Sequence, residues 1–242
     1  LEPARKQTLI AWAFLGAGIF VGGYWAYKVL GWGGYWGWDP VENSSLVPWI
    51  LAAVLLHLIN LARKKSAVLP QAHVAATFTY ALVIYGTFLT RSGILGDFSV
   101  HSFAGTSIGM TIALANALVL IGGLSIILAK AKELPQGELY KSYSDSSFII
   151  LLSCLLMIFI AAIVWLGMSM PLLTQIIGQA AAVDADFYIK STSPIALTLA
   201  ALMIYVFIKF GRAISLGGKV AHVGFLAMLA AIIISSTGET VT

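Results

Sequence analysis

Long apolar runs, joined by short links that carry most of the charge, limit this chain to one kind of fold. About 20 apolar residues in a helix cross the ~30 Å hydrocarbon layer of a membrane. Runs of that size fall at roughly 8–30, 45–62, 71–90, 105–129, 147–169, 192–209 and 218–236. Lipid offers a peptide group no hydrogen-bond partner, so each run must satisfy its own backbone as an α-helix. The expected fold is therefore all-α: a polytopic transmembrane helical bundle of about seven spans, one unit over residues 1–242. With 60% hydrophobic and 10% charged residues, the composition is not that of a soluble globular domain.

The cations orient the bundle. Arg5, Lys6, Arg63, Lys64, Lys65, Lys130, Lys132, Lys141, Lys209, Arg212 and Lys219 fall on one side of the expected spans. Lys28, Arg91 and Lys190 fall near the other. Positive loops stay cytoplasmic, which puts the N-terminus inside and the C-terminus outside. The net charge of +4 mostly reflects this asymmetry and gives no reason to expect a nucleic-acid partner. Cys154, the one cysteine, lies within the fifth span and reads as a small buried apolar side chain. The chain opens on Leu1 rather than Met, which reads as part of a longer protein.

Three external loops follow from this topology: the aromatic segment 31–44, the histidine loop 91–105, and about 170–191 with Asp184, Asp186 and Tyr188. The first crowds Trp32, Tyr35, Trp36 and Trp38 among glycines and then runs Asp39-Pro40-Val41-Glu42-Asn43. Asp39 suits an N-cap, Pro40 the first helical position, and Glu42 the far side of a capping box. Two readings fit. Aromatic rings commonly form a belt at the membrane interface. Alternatively, glycines beside crowded rings make a slot for a flat apolar ligand such as a porphyrin or quinone. Indole N–H groups and the Asn43 amide would then bind the ligand's polar edge.

The histidines lie at two levels. His57 is six residues before Arg63, roughly 9 Å from the cytoplasmic edge at 1.5 Å per residue. His222 follows Lys219 by three residues, roughly 4–5 Å from the same edge. Ionisable groups in a membrane are costly and mark function by default. Two imidazoles at matched depth suit the two axial positions of a haem iron; each alone equally suits a hydrogen-bonded core role. His73 reads as interfacial. His101 belongs to the external loop and is too far away to share an iron with His57 or His222. Arg91 reads either as a snorkelling interfacial cation or as a partner for a propionate.

The run Trp-Gly-Gly-Tyr-Trp-Gly-Trp-Asp-Pro-Val-Glu-Asn over 32–43 resembles the tryptophan-rich WWD signature of the haem-handling proteins of cytochrome c maturation. The ending Asp39-Pro40-Val41-Glu42-Asn43 is similar to the CcmF branch. So are Thr90-Arg91-Ser92-Gly93, His101-Ser102-Phe103-Ala104, His57, and Ala221-His222-Val223-Gly224. The resemblance implies a System I cytochrome c haem lyase in the bacterial inner membrane, with haem attachment on the periplasmic face. It implies that transient substrate haem lies on Trp32, Tyr35, Trp36, Trp38, Asp39 and Asn43, beside Arg91, with His101 on its iron. It implies a buried haem b held by His57 and His222. The implied partners are a haem chaperone, the CxxCH segment of an apocytochrome c, the subunit that presents it, and quinol as electron donor. A haem exporter, or a membrane b-type cytochrome with a quinone at the aromatic slot, shares these features. Two departures stand out: family members have an external histidine before the signature, and they are longer, with more spans. The segment from Lys209 to Lys219 is also a short link.

Overall fold

The computed structural model describes residues 1–29, 34–99, 101–103 and 108–238, with side chains through Ala231. Trp32 lies outside the described residues. The described residues form seven helices: α1 (Glu2–Val29), α2 (Pro40–Ala62), α3 (Leu69–Arg91), α4 (Gly109–Ala129), α5 (Ser146–Ile177), α6 (Ala185–Phe210) and α7 (Leu216–Gly238). Single 3₁₀ turns at Ser66–Val68 and Gly211–Ala213 precede α3 and α7. No strand occurs among the described residues. Six helices are long and apolar enough to cross a membrane, and α7 is a shorter apolar helix over Leu216–Ala231. The chain is a multi-pass helical membrane protein.

Most helices outrun their apolar runs. α5 continues past the expected boundary at 169, through Pro171, to Ile177. α6 starts at Ala185 rather than near 192, because Asp184 caps it by accepting from the Phe187 amide at 2.9 Å. Apolar length reports only the hydrocarbon crossing, whereas capping chemistry fixes where a helix ends. The interior prolines Pro48, Pro171 and Pro194 do not end α2, α5 or α6. Membrane helices tolerate such breaks because neighbouring groups satisfy the freed carbonyl.

α2 is the central helix, packed against α1, α3 and α5, while α4 lies on α3 and α6 on α5. Val47, Val54 and Leu58 of α2 meet Leu89 of α3 and Cys154, Val164 and Met168 of α5 in one buried cluster. Cys154 is thus the buried apolar side chain expected from its position. Tyr85 of α3 and Ser169 of α5 share a hydrogen bond of 2.8 Å between helices. In lipid such polar links add to packing as the force that joins helices.

One anchor of α1 lies midway along it. Trp49 of α2 stacks on Trp12 with ring centroids 5.2 Å apart, and its Nε1 donates to the Trp12 carbonyl at 3.1 Å. Gly16 makes room, since a Cβ there would lie 2.7 Å from the Trp49 Nε1. Trp49→Ala is expected to destabilise the α1–α2 seam by about 2–3 kcal/mol. Faster proteolysis at the N-terminal end of α1 in detergent, with the other helices protected, is the measurement; an unchanged cleavage rate would count against this anchor.

The basic ends converge as the charge asymmetry requires. Arg63 pairs with Glu2 at 3.3 Å and Lys65 with Asp145 at 3.7 Å. Lys65 Nζ donates to the Leu139 carbonyl at 3.1 Å and Lys209 Nζ to the Ser144 carbonyl at 3.4 Å. Asp145 caps α5 through the Ser147 amide, and that hydrogen bond holds its carboxyl below the ordinary aspartate range.

Candidate functional site

α2 runs between two clusters of chemically active side chains. Asp39 caps it at the end opposite the basic loops, and His57 lies 18 residues further on, roughly 27 Å along the axis.

At the first end, Asp39 Oδ1 accepts from the Val41 amide at 2.8 Å and the Glu42 amide at 3.4 Å. Glu42 reaches back beyond the cap, where its carboxylate accepts from the Gly37 amide at 3.0 Å. This ties the glycine-rich segment down onto the first turn of α2. Asp39 Oδ1 also accepts from Ser99 Oγ at 2.8 Å and stands 3.6 Å from His101 Nδ1. The Ser99 hydroxyl accepts in turn from the His101 amide at 3.1 Å. The helix cap and the histidine loop are therefore one connected unit, although 60 residues separate Asp39 from Ser99.

The rings are arranged around that unit. Trp38 adopts φ +57°, a left-handed conformation that non-glycine residues rarely take. Such a conformation costs about 1–3 kcal/mol and persists where the surroundings enforce it. Here the fully buried Asn43 donates from Nδ2 to the Trp38 carbonyl at 3.0 Å. The Trp38 ring stacks on Tyr188 of α6, centroids 4.9 Å apart and planes within 4°. Trp36 meets Trp38 edge-on at 6.4 Å, and its buried Nε1 has no hydrogen-bond partner among the described residues. Tyr35 stacks on Tyr27 of α1 at 4.4 Å, and Trp25 approaches the His101 ring at 6.2 Å. The Arg91 guanidinium lies over the Phe103 ring at 4.5 Å. The rings thus form connected pairs drawn from α1, α6 and the loops.

At the basic end, His57 of α2 and His222 of α7 face each other with centroids 5.9 Å apart and planes at 84°. His57 Nδ1 lies 2.7 Å from the Ala53 carbonyl, and His222 Nδ1 lies 2.7 Å from the Gly218 carbonyl. A carbonyl only accepts, so each Nδ1–H donates, and in a neutral imidazole that arrangement puts the lone pair on Nε2. Metal-ligating histidines characteristically have their second nitrogen occupied in this way. Two imidazoles across one metal, each bonded at about 2.0 Å, would place their centroids roughly 6 Å apart. Among the described residues, no group of three or more His, Cys, Asp or Glu is placed to hold a metal ion. A bare ion would thus be poorly served, whereas an iron already held by four porphyrin nitrogens needs only two axial ligands. The donor set fits haem.

His73 stands apart, exposed at the start of α3 with its Nδ1 on the Leu69 carbonyl at 2.8 Å. Of the expected site residues, Asp39, Asn43, Trp36, Trp38 and His101 come together, as do His57 and His222. Tyr35 and Arg91 sit at the margin, each against another ring. Reading the sequence missed Ser99, Trp25 and Tyr27, and it noted Tyr188 only as a loop residue. The run Tyr24-Trp25-Ala26-Tyr27 at the outer end of α1 was the available signal for two of them.

Residues 2–95 match the family described as Cytochrome C assembly protein. The chain is 37% identical over 242 aligned residues to the cytochrome c-type biogenesis protein ccl1 of Rhodobacter capsulatus, an alignment covering 97% of this chain and 37% of that one. It is 38% identical to the cytochrome c-type biogenesis protein CcmF of Haemophilus influenzae, over 76% of this chain and 28% of that one. It is 33% identical to the probable cytochrome c-type biogenesis protein NrfE of Escherichia coli, over 97% and 42% respectively. A solved structure titled Cytochrome c Heme Lyase CcmF aligns with TM-score 0.59 and 32% identity, over 82% of this chain and 28% of that one. With the aromatic segment, the membrane helices and these alignments in agreement, the chain belongs to the CcmF-type cytochrome c maturation proteins and spans somewhat over a third of the length of the first of these relatives.

Proposed function

We propose that this chain carries the haem-handling part of a cytochrome c haem lyase. Substrate haem is held on the external aromatic segment, and a resident haem b is held between His57 and His222. The observation that carries the reading is the histidine pair at one end of α2, with both Nε2 lone pairs left over, set against an aromatic and histidine cluster at the other end.

When bound, haem supplies the vinyl groups that take up thiols and an iron that changes oxidation state. The chain's own residues bind and orient. Trp38, braced on Tyr188, and the edge-on Trp36 offer apolar faces to a flat ring. The Trp36 N–H is a donor for a polar edge, and Arg91 is a cation near the same rim for a propionate. His101 presents an imidazole, and Trp32 completes the aromatic set of the signature. The sulfur comes from the CxxCH segment of the apocytochrome, whose S–H adds across a vinyl C=C to give a thioether. No protein nucleophile is required, in keeping with a single buried cysteine.

In this proposal, haem reaches the outer face of a bacterial inner membrane from a haem chaperone. A further maturation subunit presents the apocytochrome, and quinol supplies electrons. Co-expression with a CxxCH apocytochrome and the remaining maturation subunits tests the reading. Covalent cytochrome is expected with the native chain, and at least tenfold less with Trp38→Ala, measured by haem staining of denatured protein. Haem delivery to the outer face without covalent product would favour an exporter. Normal attachment by Trp38→Ala would remove the platform from the mechanism.

A further inference from the structure

We infer that the groove between α3 and α5 is a lipid site in its own right: it takes a neutral long-chain molecule whose small head carries a hydroxyl, with that head at Asn116 and Tyr85. The inference goes beyond the haem sites and does not depend on them.

α3 and α5 both pack on α2 but share no broad interface with each other. A cavity of about 870 Å³ lies between them, within the size range of small-molecule sites. Its floor is the face of α2 from Val47 to Leu58, roughly 16 Å long at 1.5 Å per residue. Phe78, Leu155 and Ile158 line the cavity and are also exposed, so it opens sideways into the lipid. Among the described residues that line it, none is charged. That excludes a phosphate head or a fatty-acid carboxylate, which would be buried without a counter-charge.

The unspent polar groups gather toward one end. α4 approaches α3 closely at Gly123, where a Cβ would lie 2.6 Å from Thr77 Cγ2, and at Gly109, where it would lie 3.2 Å from Ser92 Cα. Asn116 falls midway between those glycines, about two turns from each, and so stands level with Ile84 and Tyr85. Its Oδ1 is buried and has no hydrogen-bond partner among the described residues. An unpaired amide inside a membrane span is costly. Tyr85 lines the same cavity. The Ser169 hydroxyl donates to the Trp165 carbonyl at 2.7 Å, so in the 2.8 Å bond between Tyr85 and Ser169 the tyrosine is the donor. Its phenol oxygen therefore keeps acceptor capacity. Two acceptors at one end call for a donor, and a hydroxyl, which both donates and accepts, serves the Asn116 amide in either orientation. Gln71, near the opposite end, turns its amide N–H to the Val68 and Ala67 carbonyls. The length between is apolar, as a hydrocarbon tail requires.

The test uses the full chain in amphipol, titrated by calorimetry with three probes of equal chain length. These are 1-decanol, decyl methyl ether, whose oxygen only accepts, and decanoate, which is charged. The native chain is expected to bind decanol about five- to tenfold more tightly than the ether, and decanoate more weakly still. Asn116→Leu, close in volume, is expected to bring decanol down to the affinity of the ether and to leave the ether unchanged. Ala162→Phe fills the rim of the groove, where Ala162 is exposed, and is expected to weaken both neutral probes at least about tenfold. Together with the comparison of probes, it carries the test if Asn116→Leu does not fold. An organic extract of the native protein is expected to yield a hydroxyl lipid that Ala162→Phe lacks, its mass separating a phenolic head from an aliphatic one. Equal binding of decanol and ether, or native decanol affinity in Asn116→Leu, would leave the groove as ordinary lipid-facing surface and overturn the inference.

Discussion

His222→Ala is expected to eliminate the low-spin, bis-imidazole haem absorption proposed for the purified protein, and His57→Ala to do the same, with helix content unchanged in both. The expectation follows from the geometry of the pair. Each ring has its Nδ1 committed to the carbonyl one turn earlier, at Ala53 and Gly218. The two rings lie edge-to-face with centroids 5.9 Å apart. With either imidazole removed, the pair could no longer hold a haem between α2 and α7, and the low-spin spectrum would be lost. The helix loses little, because each Nδ1 contact is made to a carbonyl that the α-helical ladder already serves. Optical spectra of detergent-purified protein, with circular dichroism as the control for folding, decide the matter. Retention of the low-spin spectrum in both variants would show that the pair is not the ligand set.

Gly167→Ala is expected to cost about 1–3 kcal/mol of stability, as overpacking does. A Cβ at this position would lie 2.5 Å from Tyr188 Cε1 and 2.7 Å from both its Cζ and its hydroxyl oxygen. Tyr188 cannot easily yield, being fully buried with its other face on Trp38. Moving the ring away from α5 therefore pushes it against the aromatic platform. External hemin binding should weaken together with the melting transition, while the spectrum of the His57–His222 pair is retained. A variant that melts and binds like the native chain would show that Tyr188 does not brace Trp38.

How much of this was legible in the sequence depends on the range of the interaction. Seven apolar helices could be read because lipid imposes a length, and six of those described are long enough to cross a membrane. Helix ends were read short at α5 and α6, since Pro171 looks like a stop and the Asp184 cap precedes a polar turn, Asp186 to Thr192. The Asp39 cap was visible because capping is local. Its second engagement, with Ser99 and His101, was not, because nothing local links loops that meet only once α2 and α3 pack. The matched depth of His57 and His222 came from counting residues to the basic edge. Whether the two rings faced each other required the rotation of α2 and α7 about their axes. Tyr188 was read in a loop at the same end as the aromatic segment, where it does stack on Trp38, but that partnership depends on the glycine at 167, which carries no local sign of the ring it admits.

α7 shares no broad interface with another helix among the described residues; its ring contacts are made by His222, with His57 and with Phe207. Its docking therefore leans on few contacts, the His222 ring prominent among them. A group that bridges the two histidines contributes stability that grows with its concentration as RT ln(1 + [L]/Kd), close to 2.7 kcal/mol at roughly a hundredfold excess over Kd. If haem is the bridging group, as proposed above, its loss would loosen the last helix from the rest of the bundle.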